Sequence, residues 1–85
     1  MAAYKVHFKA SVEKDFTTIP KKDVKKILKR IDALTENPRP WGSEKLTGRE
    51  RYRLRQGQYR IVYSIHDDEL TVWVVKVGHR KEIYR

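Results

Sequence analysis

Three short segments of alternating apolar and polar residues fill most of the second half of the chain, and they constrain its fold most. The segments cover residues 51–56, 59–66 and 69–77, with turn-forming residues at Gly57 and at Asp67-Asp68. Alternation with a period of two is typical of β-strands, and turns this short join neighbouring strands of an antiparallel sheet. The sequence therefore predicts a three-stranded antiparallel meander in this half of the chain.

The first half predicts one more strand followed by two helices. Apolar and polar residues alternate over residues 4–9, as in a half-buried strand. A short helix precedes Pro20, and Pro20 suits the first turn of a second helix that ends before Asn37-Pro38. This second helix has one apolar stripe, formed by Val24, Ile27, Leu28, Ile31 and Leu34. The predicted fold class is α+β: a small antiparallel four-stranded sheet in the order β-α-α-β-β-β, with its first strand at an edge and both helices packed on one face.

The longest irregular stretch covers residues 37–51 and contains two prolines and two glycines. Its content of charged and large apolar residues is too high for a flexible linker. We expect an ordered connection in which Trp41 and Leu46 pack against the core.

Length and charge narrow the functional classes. Eighty-five residues predict a single domain over residues 1–85 with a modest core. The net charge of +9, from 20 basic and 11 acidic residues, favours a polyanionic partner, although a basic protein without one is the simpler alternative. The chain contains no cysteine, which excludes disulfides, thiolate metal sites and a cysteine nucleophile.

The start of the chain alternates charged with apolar residues and lacks the continuous apolar region of a signal peptide. Nor does any segment approach the roughly 20 apolar residues that span a bilayer. The sequence predicts a cytoplasmic protein with no membrane partner.

Arginines are concentrated on the predicted meander. Arg53 and Arg55 lie on one face of their strand, and a hairpin turn at Gly57 brings Arg60 beside Arg55. Two interpretations stay open for these guanidinium groups, the solvated face of a hairpin and an anion site. Close cations repel each other unless an anion or carboxylates lie between them, and a bound phosphate would relieve that repulsion. Guanidinium groups suit phosphate because they are planar, always charged and carry a fork of donors. Together with nearby aromatic residues they suggest a site for single-stranded nucleic acid.

His79 is the candidate for proton transfer. It follows Gly78 at the end of a predicted strand, where neighbouring cations favour the neutral imidazole that a general base requires. The three dispersed histidines show no metal-ligand spacing, so the sequence predicts no metal and no cofactor.

Residues 52–55, 59–63 and 77–84, with Gly57 between the first two segments, resemble the RelE branch of the RelE/ParE toxin superfamily. The likeness extends over essentially the whole chain. It implies the toxin of a type II toxin–antitoxin pair with a RelB-like antitoxin as partner. It also implies a ribosome-dependent mRNA endoribonuclease, which cuts in the A site by metal-independent attack of the 2′-hydroxyl and leaves a 2′,3′-cyclic phosphate.

The same resemblance assigns catalytic positions along the second half of the chain. They are Arg53, Arg55, Arg60, Arg80 and Tyr84. The best-known member has lysines at the first two of these positions. An arginine is a poor proton acceptor, so His79 becomes the preferred general base, with Tyr84 or a substrate-assisted route as the alternatives.

Further basic residues are candidates for ribosome or RNA contacts: Lys25, Lys29, Arg51 and Lys81. The lysine-rich helix face is in the simpler interpretation only a solvated surface. Two other functions stay open, a ParE-like inhibitor of DNA gyrase without ribonuclease activity and a nucleic-acid-binding module without catalysis.

Overall fold

A computed structural model describes residues 3–46, 48 and 50–79. This part of the chain contains two α-helices and a five-stranded sheet, so the predicted α+β class is confirmed. The helices are α1 (Ala10–Thr17) and α2 (Lys21–Asp32). The strands are β1 (Lys5–Phe8), β2 (Glu44–Lys45), β3 (Arg51–Gln56), β4 (Tyr59–His66) and β5 (Thr71–His79).

The predicted four-stranded, wholly antiparallel sheet is wrong in two details. The observed strand order is β1-β5-β4-β3-β2, and β1 runs parallel to β5 while the other neighbours are antiparallel. β1 does lie at an edge, as expected. The extra strand, β2, has only two residues, which are too few to show alternation. The parallel pairing follows because the two helices and three strands between β1 and β5 act as one long crossover, and no local turn signals it.

The second helix ends earlier than the sequence predicts. Pro20 precedes it, and its carbonyl accepts hydrogen bonds from the backbone N–H groups of Asp23 and Val24 at 2.9 and 3.0 Å. After Asp32 the chain tightens into a 3₁₀ turn over Ala33–Thr35. The apolar stripe therefore continues into this turn, where Leu34 is buried.

The β3–β4 hairpin follows the predicted register. Leu54 lies opposite Ile61, and Gly57 has the positive φ of 60° that a tight turn favours. Between β4 and β5 the register shifts, since Val62 pairs with Lys76 and Tyr63 with Val74. The additional residue on β5, Val75, is a β-bulge.

One face of the sheet and the two helices share the core. The bulge keeps Val74 and Val77 on the same face although they are three residues apart, opposite Tyr63 and Ile61. The central members of this core, all at most 2% exposed, are Val12, Ile27, Ile31, Leu34, Leu54, Ile61, Tyr63, Val72, Val74 and Val77. The opposite face of β3 and β4 therefore carries the arginines.

The prediction that Trp41 packs against the core is wrong. Its side chain is 95% exposed, in a turn that continues through Gly42. Leu46 is half-buried. Pro38 and Arg39, and not Trp41, tie this connection to the rest of the fold.

Among the residues that the structure describes, no helix is long and apolar enough to cross a bilayer.

Candidate functional site

The β3–β4 hairpin brings the predicted arginines together. Arg55 lies directly opposite Arg60, and Arg53 lies opposite Val62, so all three side chains leave the same face of the sheet. This is the face away from Leu54 and the core. Arg55 is exposed, whereas Arg53 and Arg60 are half-buried. The arrangement concentrates positive charge on one side of the hairpin.

These arginines line a cavity of about 620 Å³. Its wall is formed by Arg30, Trp41, Gly42, Glu44, Arg53, Arg55, Gly57 and Arg60. Four guanidinium groups and one carboxylate thus surround a single space. A cavity of this size and charge suits a phosphate group with part of the attached nucleotide.

Glu44 neutralises part of that charge. Its Oε2 lies 2.7 Å from Nη2 of Arg53, whose side chain is 21% exposed. The pair follows from the β2–β3 register, which sets Glu44 directly opposite Arg53. Sequence patterns do not reveal Glu44, because a two-residue strand carries no local signal. The carboxylate fixes the direction of one arginine and leaves the cavity with an excess of positive charge.

Arg30 is a second site residue that the sequence prediction missed. It belongs to α2, whose basic face has the pattern of a solvated surface, yet it is half-buried and lines the arginine cavity. Its Nε is buried and has no hydrogen-bond partner within the described ranges. The sequence does contain a signal for this partial burial, because Arg30 lies three residues after buried Ile27 and four before buried Leu34, at the border of the apolar stripe.

The connection between α2 and β2 is tied to the sheet by a buried hydroxyl. The hydroxyl of Tyr63, a fully buried residue, donates a hydrogen bond of 2.8 Å to the carbonyl of Pro38, which is itself buried. Burial raises the pKa of Tyr63 to about 12, so the hydroxyl remains a donor at neutral pH. Pro38 thus anchors the segment that leads to Trp41.

A second anchor lies one residue further on. Arg39 donates two hydrogen bonds to the carboxylate of Asp67, at 2.8 and 3.2 Å, and one from Nε to the hydroxyl of Tyr52 at 3.1 Å. The hydroxyl of Tyr4 donates to the same carboxylate at 2.6 Å. The bonds from Arg39 and then Tyr4 lower the pKa of Asp67 to about 2. This network links the residue before β1, the connection before β2 and the turn after β4.

Trp41 lies just beyond both anchors, at the wall of the cavity. The backbone N–H of Ser43 bonds the carbonyl of Pro40 at 3.0 Å, and Gly42 has a φ of 94°, a value that favours glycine. A tight turn therefore presents the indole to solvent beside the guanidinium groups. The sequence pattern singles out Trp41 but does not distinguish this position from a place in the core.

His79 lies at the end of β5, directly opposite Tyr59. Its ring meets the Tyr59 ring edge to face, with centroids 6.0 Å apart, and its Nε2 lies 3.3 Å from Oε1 of Gln58. Burial, and then a hydrogen bond to Asp23, raises the pKa of Tyr59. Gly78 rather than His79 is the direct partner of Arg60. His79 therefore shares the face of Tyr59, on the core side of the sheet, and not the face that carries Arg60. It does not line the arginine cavity, and its role as general base stays a prediction.

The remaining predicted residues fall in three places. Lys25 and Lys29 are exposed on α2, and Arg51 is half-buried at the start of β3, opposite Ser64. Arg80, Lys81 and Tyr84 lie outside the described residues.

Within residues 3–46, 48 and 50–79, no group of three or more histidine and carboxylate side chains is arranged to hold a metal ion.

Comparison with known proteins gives one matching family. Residues 6–84 match the family described as the ParE toxin of type II toxin–antitoxin systems, parDE. The match extends over the helices, all five strands and the arginine cavity.

Individual relatives carry RelE-type names. Toxin RelG of Mycobacterium tuberculosis is 34% identical, over 82% of this chain and 92% of that protein. The toxin–antitoxin complex RelBE2 of the same organism contains a chain with a TM-score of 0.81 and 25% identity, covering 92% of this chain and 99% of that one. An archaeal RelE–RelB complex from Pyrococcus horikoshii gives a TM-score of 0.78 and 28% identity, over 94% of this chain and 97% of that one.

Proposed function

Because the chain belongs to the RelE/ParE superfamily of type II toxins, in its RelE-like branch, we propose that it is an endoribonuclease that cleaves mRNA on the ribosome. The observation that carries the proposal is the cavity lined by Arg30, Arg53, Arg55 and Arg60. Phosphoryl transfer needs positioned positive charge more than any other contribution from a protein.

The hairpin register supports a phosphate site. Arg55 and Arg60 are direct neighbours across β3 and β4, where like charges destabilise each other. A phosphate bound between them relieves that repulsion and accepts hydrogen bonds from both guanidinium groups. The benefit grows in the pentacoordinate transition state, which carries more charge on its oxygens than the ground state does.

The reaction follows the order that the family resemblance implies. The 2′-oxygen attacks the adjacent phosphorus, its proton passes to a general base, and the P–O5′ bond breaks. The leaving 5′-oxygen takes a proton, and the products are a 2′,3′-cyclic phosphate and a free 5′-hydroxyl. These steps conserve all atoms and protons without an oxidant, a metal or a second substrate.

We assign the roles within the site from the charge of the side chains and from the family resemblance. Arg60 and Arg80 hold the scissile phosphate, while Arg53 and Arg55 position the flanking phosphates and the attacking hydroxyl. The ion pair with Glu44 fixes Arg53 in direction, which suits positioning better than direct stabilisation of new charge. His79 is the proposed general base, a role that requires its ring to reach the scissile phosphate around the end of β5. Tyr84 orients a base of the RNA.

A RelB-like antitoxin is the proposed protein partner. The structures of similar toxins named above are complexes with such partners. The net charge of +9 and the exposed arginines favour an acidic or amphipathic segment that folds onto this surface. Copurification after coexpression with the product of the neighbouring gene tests this, and a chain that stays monomeric and harmless would count against it.

Pulse labelling after induction of the toxin alone tests the function. We expect protein synthesis to fall before DNA synthesis, because ribosome-bound mRNA is the substrate. The Arg60→Ala variant, expressed to the same level, should leave both rates near those of uninduced cells. An earlier fall in DNA synthesis would contradict the proposal and favour gyrase inhibition.

A further inference from the structure

We propose that Trp41 and Arg30 form a subsite for one unstacked nucleotide of single-stranded RNA. The base stacks on the indole of Trp41 and the phosphate of the same nucleotide binds Arg30. The inference rests on the proposed function and adds a nucleotide contact at two residues that line the arginine cavity together with the hairpin.

The exposure of Trp41 is the first observation. An indole that is 95% exposed buries almost no apolar surface in the core, and its neighbour Gly42 has no side chain to cover it. The other tryptophan, Trp73, is only 41% exposed and packs on the ring of His7 with centroids 4.9 Å apart. A large aromatic face open to solvent beside positive charge suits a nucleobase, since every base has a π-face and successive bases are joined by phosphates.

The backbone that carries Trp41 is fixed before any ligand arrives. Pro38 is anchored by the Tyr63 hydroxyl, and Arg39 is anchored by the two bonds to Asp67. The Ser43 N–H then closes the turn around Trp41. Because this backbone is already ordered, stacking on Trp41 costs only the conformational entropy of the side chain and not that of the turn.

Arg30 supplies the second observation. Its Nε is buried and has no hydrogen-bond partner in the part of the chain that the structure describes. An unmade bond on a charged, partly desolvated group is costly. Because Arg30 lines the cavity, a phosphate oxygen there can accept a hydrogen bond from its guanidinium group and offset part of that cost, and a nucleotide stacked on Trp41 places its phosphate in the same space.

Charge favours RNA over an apolar protein segment as the occupant. Four guanidinium groups line the cavity, and its one carboxylate, on Glu44, is paired with Arg53. An apolar side chain stacked on Trp41 would desolvate these cations without compensating them. A nucleotide supplies both an aromatic face that stacks on Trp41 and an anion that compensates the guanidinium groups.

The experiment uses tryptophan fluorescence in the full chain. In the Trp73→Phe protein Trp41 is the only tryptophan, and we expect a short oligoadenylate to quench its emission with saturation. Anisotropy of the labelled RNA then measures affinity in variants that lack the indole. Trp41→Ala should weaken binding roughly 5- to 150-fold, and Trp41→Phe should recover most of the loss.

Salt dependence separates the two halves of the subsite. Trp41→Ala should leave the slope of log K against log salt unchanged, because stacking releases no counterions. Arg30→Gln should reduce that slope by about 0.7, the value for one phosphate contact on a single strand. Lys14→Gln, which removes one exposed charge from α1, is the matched control and should change neither affinity nor slope.

Three results would overturn the subsite. The first is unchanged Trp41 emission at RNA concentrations that saturate the protein. The second is a Trp41→Ala protein that binds RNA as tightly as Trp73→Phe. The third is a Trp41→Ala protein that binds the antitoxin more weakly but binds RNA normally, which would identify Trp41 as a protein contact. If Trp41 binds RNA as expected but mRNA on ribosomes stays intact, the subsite stands and the proposed cleavage fails.

Discussion

Replacing Tyr63 with phenylalanine tests how the sheet supports the cavity. The substitution removes one hydroxyl from a fully buried side chain and leaves the buried carbonyl of Pro38 without its donor at 2.8 Å. A hydrogen bond of this kind contributes about 0.5–1.5 kcal/mol net, and a buried group left unsatisfied costs about 1–3 kcal/mol. We therefore expect the free energy of unfolding to fall by about 1–3 kcal/mol.

Urea denaturation followed by circular dichroism measures this change. The midpoint should fall while the m-value stays constant, because the surface exposed on unfolding is unchanged. Each kcal/mol should lower Tm by about 4–8 °C in a chain of this size. Tyr59→Phe is the control, since that hydroxyl is only partly buried and its bond to Asp23 is longer, at 3.2 Å.

The position of Trp41 links this stability effect to the cavity. With the anchor at Pro38 removed, the turn that carries Trp41 gains freedom, and RNA affinity should fall although Tyr63 contacts no RNA. A stability change below about 0.5 kcal/mol would refute the reasoning, because it would show that the Pro38 carbonyl finds another donor or water at no cost.

Three other expectations concern charge and proton transfer. Arg60→Ala should lower the single-turnover cleavage rate roughly 10²–10³-fold with little change in ribosome binding. Lys29→Ala should only weaken ribosome binding slightly and reduce its salt dependence. Equal effects of the two variants on the cleavage rate would refute the assignment of the arginine cavity as the active site. The pKa of Asp67 is lowered from 3.8 to about 2, so its stabilising effect is present above pH 4 and is lost as the pH falls from about 4 to 2. As the pH falls through that range, the urea midpoint should fall less steeply in Arg39→Gln than in the wild type. An unchanged dependence of the midpoint on pH would contradict the stabilising role of the Arg39–Asp67 pair. His79→Gln should lower the cleavage rate roughly 10²–10⁴-fold, and a near wild-type rate would remove His79 from the mechanism.

Local patterns predicted the hairpins and the arginine face well. The bounds of β3 and β4 match the alternating segments, and Arg55 does lie beside Arg60. This success has a physical reason: a strand with one buried face must alternate, and a tight turn at Gly57 fixes the register. The third segment is displaced by two residues, from 69–77 to Thr71–His79. The 3₁₀ turn over Asp67–Glu69 takes the first residue of the predicted segment, and Leu70, with a positive φ of 48°, takes the second.

Long-range placement could not be predicted in the same way. The parallel partner of β1 and the two-residue β2 depend on where distant strands meet, and neither has a local signature. Trp41 shows the same limit, because hydrophobicity alone does not distinguish a core residue from a ligand-facing one. Arg30 was hidden for the opposite reason, since a charged residue on a basic helix resembles its solvated neighbours.

The ends of the RNA after cleavage test the central claim most directly. The chain is incubated with ribosomes paused on a defined mRNA, and each new 3′ end is tested for ligation before and after removal of a cyclic phosphate. The account predicts cuts in the A site with 2′,3′-cyclic phosphate at the 3′ end and free hydroxyl at the 5′ end, lost in Arg60→Ala. Intact mRNA, or DNA breaks with gyrase in its place, would contradict it.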